Sequence, residues 1–312
     1  MPPSAMGAAE LPAVAGPAPA DLDPGIPGAS PSSGRAARAS TEPTLTVSPR
    51  LAFERTWLGL QSPPWSIRAL EAGFRPDRDN EACPRCAGSV GPGEVSQVEG
   101  VMGCAACREE ALPWSRAVRL AAFSGVLREA ILEAKYTRWR RLAFDLGAAL
   151  GAVLAERLRA ANIEPSEVAL VPVPMSWRRR WSRGLDHTLE IARGVRSRTG
   201  MTIARPLGRR HRPVQASLPR SQREANARGS FRARGRARME SYPCLVVLDD
   251  VRTTGATLRA ACRAVAARER RLGGRIGSEK IWIATLAVPT PPERRDGAAG
   301  GVGADPDLRG EE

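Results

Sequence analysis

The stretch from Val246 to Leu258 reads VVLDDVRTTGATL. An apolar run with no polar interruption fits a strand of a parallel sheet covered on both faces, which places Asp249 and Asp250 at its carboxyl end, where open α/β sheets receive ligands. The turn that follows opens a helix. Its first amides have no partners within the helix and carry partial positive charge, so they suit a phosphate. Thr253, Thr254 and Thr257 add hydroxyl donors, and Gly255 permits a positive φ or a close backbone approach. The pattern is neither the Walker loop nor the glycine fingerprint of dinucleotide folds. Two carboxylates would repel a phosphate unless they engage hydroxyl donors or a cation. A sugar diol or a magnesium ion could serve the acids, and a ligand with a phosphate at one end and vicinal hydroxyls a few ångströms away is a pentose 5-phosphate. The competing reading is a plain strand-to-helix turn with N-capping threonines and a solvated acid pair.

A second constellation is Cys83-Pro-Arg-Cys86 and Cys104-Ala-Ala-Cys107, two knuckles separated by 17 residues. That spacing marks a zinc site. Four thiolates complete a closed tetrahedron with no open position, so the expected zinc is structural and takes the place of a core that so short and polar a module lacks. A redox dithiol or a pair of disulfides is the alternative. Cys244 and Cys262 sit in strand-like and helix-like runs and read as small buried residues.

These groups need a scaffold. The pattern from residue 117 predicts a strand over Ala117–Phe123, helices near Gly125–Lys135 and Arg141–Arg159, a strand over Val168–Pro174 and a helix near Asp186–Arg198. A brief apolar Met201–Ala204, a helix around Ser217–Ala227, a strand at Cys244–Leu248, a helix over Thr257–Arg271 and a strand over Lys280–Val288 follow. Alternation of this kind implies an α/β fold with a mainly parallel sheet flanked by helices. The domain reading is an Ala/Pro/Gly/Ser-rich disordered arm over 1–50, a lead-in and cysteine module over 51–116, the α/β domain over 117–288 and an acidic disordered tail over 289–312. Trp57, Trp65 and Phe74 suggest a short helix in the lead-in.

The longest apolar candidate for a membrane span, Leu142–Ala155, has 14 residues and contains Asp145, which excludes insertion. The amino terminus lacks the basic and apolar regions of a secretory signal, so a cytoplasmic location is expected. The net charge of +14 is concentrated: Met175–Arg238 holds 18 arginines against three acids, Asp186, Glu190 and Glu224. Such a block attracts polyanions, whether nucleic acid, pyrophosphate or an anionic partner; the competing reading is a merely solvated surface. Only Lys135 and Lys280 are lysines among 47 basic residues, which suggests a G+C-rich genome.

The Val246–Leu258 stretch resembles the signature of type I phosphoribosyltransferases, which bind 5-phosphoribosyl-1-pyrophosphate (PRPP) with magnesium. The resemblance implies that Asp249 and Asp250 are the ribose ligands and catalytic acids, with Thr253, Thr254, Gly255, Ala256 and Thr257 forming the 5-phosphate loop. Val171–Gly184, followed by Gln215, Leu218, Arg223, Asn226 and Phe231, is similar to the competence-type ComF family, in which a zinc ribbon precedes a type I phosphoribosyltransferase domain. The likeness runs from Cys83 to Val288. It implies a pyrophosphate loop at Arg178, Arg179, Arg180, Arg183 and Gly184, whose guanidinium forks match phosphate oxygens. Lys135 and Tyr136 match a Lys-aromatic pair of that family. The chain departs from it at Asp186 and His187, where an acid disfavours a pyrophosphate neighbour; His187 reads as a structural helix residue or a general acid-base group. Arg252, in the loop, either clamps an anion or points into water.

Two functions follow as expectations. One is magnesium-dependent phosphoribosyl transfer from PRPP to an acceptor the sequence does not specify, linked to DNA uptake. The other is non-catalytic: a single-stranded-DNA-binding component of uptake or recombination with a PRPP sensor site, in which Trp177 and Trp181 stack bases among the arginines and a DNA-uptake helicase is a partner implied by the resemblance.

Overall fold

In the computed structural model the described residues are 63–98, 100–136, 140–175, 186–209 and 229–290. The chain divides into two units, Met1–Ser48 and Pro49–Glu312, and all described residues lie in the second. The expected arm and tail lie outside them, apart from residues 289 and 290, as do the expected helix at Ser217–Ala227, Trp57, Trp177, Trp181 and the loop residues Arg178, Arg179, Arg180, Arg183 and Gly184.

A parallel five-stranded sheet organises the unit, in the order β3-β9-β8-β4-β5. Its strands are β3 (Arg116–Ala122), β4 (Ala169–Pro172), β5 (Thr202–Ile203), β8 (Leu245–Val251) and β9 (Ile281–Val288). The central strands carry almost no polar residues because neither face meets water. All eight residues of β9 are buried, as is the Leu245–Leu248 half of β8. On one face Val246 and Leu248 pack with α2 (Gly125–Tyr136), α3 (Arg140–Ala160) and α4 (His187–Thr199). On the other, Leu245 and Val247 pack with α5 (Ala256–Arg271) and with the cysteine module. A short lead-in helix, α1 (Trp65–Glu71), contributes Trp65, whose ring meets Phe74 edge-on at 4.9 Å.

Helices α3 and α4 approach closely because glycines line their crossing. A methyl added at Gly147 or Gly194 would overlap the backbone of the opposite helix, and one at Gly151 would lie 2.9 Å from the Val195 Cα. Gly147 and Gly151, four residues apart, stand on one helix face. Helix α4 begins with Asp186 as N-cap, its carboxylate accepting from the Leu189 amide at 3.3 Å, and ends at Gly200 with φ of 71°.

Two further pairs of strands run antiparallel. In the cysteine module β1 (Val95–Val98) pairs with β2 (Val101–Cys104). In the basic block β6 (Leu207–Arg209) pairs with β7 (Phe231–Ala233). No described helix is long and apolar enough to cross a membrane.

Candidate functional site

The acid pair sits where the sequence places it. β8 ends at Val251, in register with Ala287 of β9, and the Arg252 amide donates to the Ala287 carbonyl at 3.0 Å, which fixes where the chain leaves the sheet. Alternation along a strand sends adjacent side chains to opposite faces. Asp250 accordingly shares a side with Val246 and Leu248 and meets Lys135 at the end of α2, 3.1 Å from Nζ to Oδ2. Asp249 shares a side with Leu245 and Val247, toward Arg209 of β6, whose guanidinium lies 5.6 Å from the Phe231 ring centroid.

The electrostatics follow from this placement. Burial, and then the charge of Asp250, push the Asp249 carboxyl up to about 7; the Asp250 amide, Arg209 and Lys135 oppose the shift without cancelling it. Each acid also accepts from the next backbone amide, Asp249 from Asp250 at 3.0 Å and Asp250 from Val251 at 2.6 Å. A cation bound near these acids would favour the charged form of Asp249 against the burial and the neighbouring charge that raise it.

The Thr-Thr-Gly turn then leads into α5. Gly255 occupies its N-cap with φ of 74°, a conformation that costs other residues steric strain. The Thr254 hydroxyl, one residue ahead of the N-cap, accepts from the Ala256 amide at 3.3 Å. Gly255 forms the N-cap without a side chain. The Nε of Arg252 is buried without a hydrogen-bond partner among the described residues, and a Cβ on Gly255 would lie 3.4 Å from it. Thr285 Oγ1, buried and likewise without a partner, belongs to the residue in register with Asp249.

The four cysteines converge as expected. Their sulfurs all lie within 4.8 Å of one another and the residues are buried. Cys83 and Cys107 are 3.6 Å apart, Cys86 and Cys104 3.7 Å, and Cys104 and Cys107 3.7 Å. Sulfurs held tetrahedrally at about 2.3 Å from one ion are spaced by about 3.8 Å. A disulfide would bring a pair to about 2.05 Å. The spacing therefore fits a shared metal ion, and the cysteines are free of disulfides. Amides point at the sulfurs, Cys104 at Cys83 and Gly88 at Cys86, which stabilises thiolate charge. Hydrogen bonds from Cys107 and Cys86 hold the Cys83 thiol well below its usual range, while Cys86 is pushed well up and Cys107 up to about 12. Four thiolates can coexist here only with a cation to share. Cys244 and Cys262 are buried apart from this group, and burial pushes Cys244 up to about 12 and Cys262 further.

The module is not an isolated bead. Its cysteines, Val90, Leu112 and Trp114 belong to the same apolar cluster as Leu245, Val247 and Leu258. Arg119 of β3, 4% exposed, pairs with Asp77 at 2.6 Å and donates to the carbonyls of Ala87 and Glu81.

Of the expected site residues, Asp249, Asp250, Thr253, Thr254, Gly255, Ala256 and Thr257 fall together at one sheet end. The Asp186 carboxylate caps a helix, and His187 is 2% exposed in its first turn. Arg209, Arg259 and Thr285 join the site from outside the expected set. Among so many arginines the first two carry no distinguishing mark. Thr285 does, as the lone polar residue of the apolar run Ile281–Val288. No protein-family model matches the chain, and no curated protein matches it.

Proposed function

We propose that this chain is a phosphoribosyltransferase-like protein of the ComF kind that binds Mg-PRPP at the carboxyl end of β8, with DNA uptake as its setting. The observation that carries the reading is the meeting of two carboxylates, one ammonium and an arginine-flanked helix start at one sheet end. In this reading the first turn of α5, with Thr253, Thr254 and Thr257, holds the 5-phosphate. Asp249 and Asp250 take the ribose hydroxyls, directly or through magnesium. The donor set suits that ion, since hard carboxylate oxygens are its usual ligands and the acid pair carries repulsion that a dication relieves. Bound magnesium would neutralise charge developing on departing pyrophosphate. Lys135 and Arg209 orient and balance the carboxylates. Phosphoribosyl transfer to an acceptor is the reaction such a site serves; its C1–O bond to pyrophosphate breaks as a bond to the incoming nucleophile forms. The four cysteines hold zinc as a structural ion, a role suited to a closed set of thiolates.

Calorimetric titration with Mg-PRPP tests the reading. Wild type binds, and Asp249→Asn/Asp250→Asn binds at least about tenfold more weakly, the loss expected from removing hydrogen bonds to charged groups. Equal affinity of the two proteins refutes the assignment. Release of pyrophosphate from labelled PRPP with purine, pyrimidine and nucleotide acceptors separates turnover from binding alone.

A further inference from the structure

The cysteine site and the Thr-Thr-Gly turn are linked by a continuous set of polar contacts. Arg85 lies inside the first knuckle, between Cys83 and Cys86, and its guanidinium reaches the second: Nη1 donates to the Cys107 carbonyl and Nη2 to the Glu110 carbonyl at 2.6 Å. The Glu110 amide donates to the same Cys107 carbonyl at 3.0 Å. The Glu110 carboxylate then forms an ion pair with Arg259 of α5. Arg259 Nη1 donates to the Thr254 carbonyl at 2.7 Å, and its backbone amide to the Gly255 carbonyl at 2.8 Å. The Trp114 indole fixes the near end of the set by donating to the Arg85 carbonyl at 2.9 Å.

The far end determines where the turn's amides point. A trans peptide is planar, with its carbonyl and following N–H directed oppositely. Holding the Thr254 carbonyl against Arg259 therefore turns the Gly255 N–H to the other side and helps fix the left-handed conformation with which α5 begins. An anion site built from backbone amides depends on such aiming, since its donors cannot swing to meet the ligand as side chains do.

We propose that the metal-closed cysteine knuckles brace the phosphate turn, with Arg85, Glu110 and Arg259 as positioning residues that carry the constraint from one site to the other. The proposal rests on the turn's being the phosphate site and gives the cysteine module a task in that site. Opening the knuckles, by loss of the metal or oxidation of the thiolates, frees the Cys107–Glu110 segment, withdraws Glu110 from Arg259 and lets the Thr254 peptide rotate.

Hydrogen exchange on the full-length protein, read by mass spectrometry, tests the brace without a ligand. Amides of Thr254–Leu258 exchange about tenfold faster after metal removal by a chelator, the factor expected when a charge-assisted contact is lost, while those of α4 keep their protection. Glu110→Gln gives the same local loosening while retaining one metal ion per chain by elemental analysis, and this variant decides the matter should the chelated protein unfold throughout. Unchanged exchange at the turn in Glu110→Gln overturns the proposal. A second arm measures Mg-PRPP affinity, which falls about tenfold in metal-loaded Glu110→Gln. Wild type that fails to bind Mg-PRPP removes the phosphate reading, yet the exchange result still stands for or against the brace.

Discussion

Lys135→Met is the most informative single change at the acid pair, because the lysine occupies the position of a competing cation. A magnesium–oxygen bond of about 2.1 Å, added to the 3.1 Å between Lys135 Nζ and Asp250 Oδ2, keeps the ammonium within about 5 Å of an ion bound on that carboxylate. Repulsion between one and two charges at that distance is about 1.7 kcal/mol with the dielectric of water and several times larger at an effective value of 20. Both side chains are about a quarter exposed and the lysine can swing away, so the lower figure applies. Removing the ammonium should therefore strengthen divalent-cation binding about tenfold. Manganese binding followed by electron paramagnetic resonance at low ionic strength reads this directly, with Asp250→Asn as the control that abolishes it. Added salt should narrow the difference. Manganese affinity that is unchanged or lowered in Lys135→Met would refute the reasoning.

Further consequences can be measured separately. Gly194→Ala places a methyl against the Phe144 carbonyl, and overpacking of this kind costs about 2 kcal/mol in chemical denaturation; an unchanged midpoint would mean the helices can part freely. Arg119→Met leaves half-buried Asp77 without its guanidinium and strips the Ala87 and Glu81 carbonyls of a donor, a loss of about 3 kcal/mol by the same assay. Asp249, pushed up to about 7, retains in the folded protein a proton that the unfolded chain has released above about pH 4. Its contribution to stability therefore falls as pH rises from about 4 to 7. Magnesium binding, which needs the carboxylate, strengthens over pH 6 to 8. Asp249→Asn should remove this part of the pH slope in thermal melts, and an identical slope in the variant would contradict the assignment.

The sheet was legible because its central strands are short apolar runs, Val246–Leu248 and most of Ile281–Val288, bounded by turn residues, as strands covered on both faces are. The knuckle spacing was legible because it encodes local turns that place two thiolates each. Other features depend on which distant surfaces meet. The antiparallel β6–β7 pair brings Leu207–Arg209 beside Phe231–Ala233, short strands far apart in an arginine-rich sequence, so neither announces itself. Lys135 stood out by rarity, yet only the packing of α2 beside the end of β8 shows that it pairs with Asp250. Asp186, read as an acid hostile to pyrophosphate, turns its carboxylate to the Leu189 amide. Gly147 and Gly194 gave no signal of a close crossing, since a glycine in a helical run looks the same whether it faces solvent or a neighbouring backbone.

The most direct test of the whole account is a titration of labelled protein with ribose 5-phosphate and magnesium, followed through backbone amide resonances. The largest shifts are expected on Asp249–Leu258, with Lys135 responding when magnesium is present. Shifts confined to the opposite end of the sheet, in the cleft lined by Asp79, Arg116 and Trp282, with the Thr-Thr-Gly amides unmoved, would contradict it.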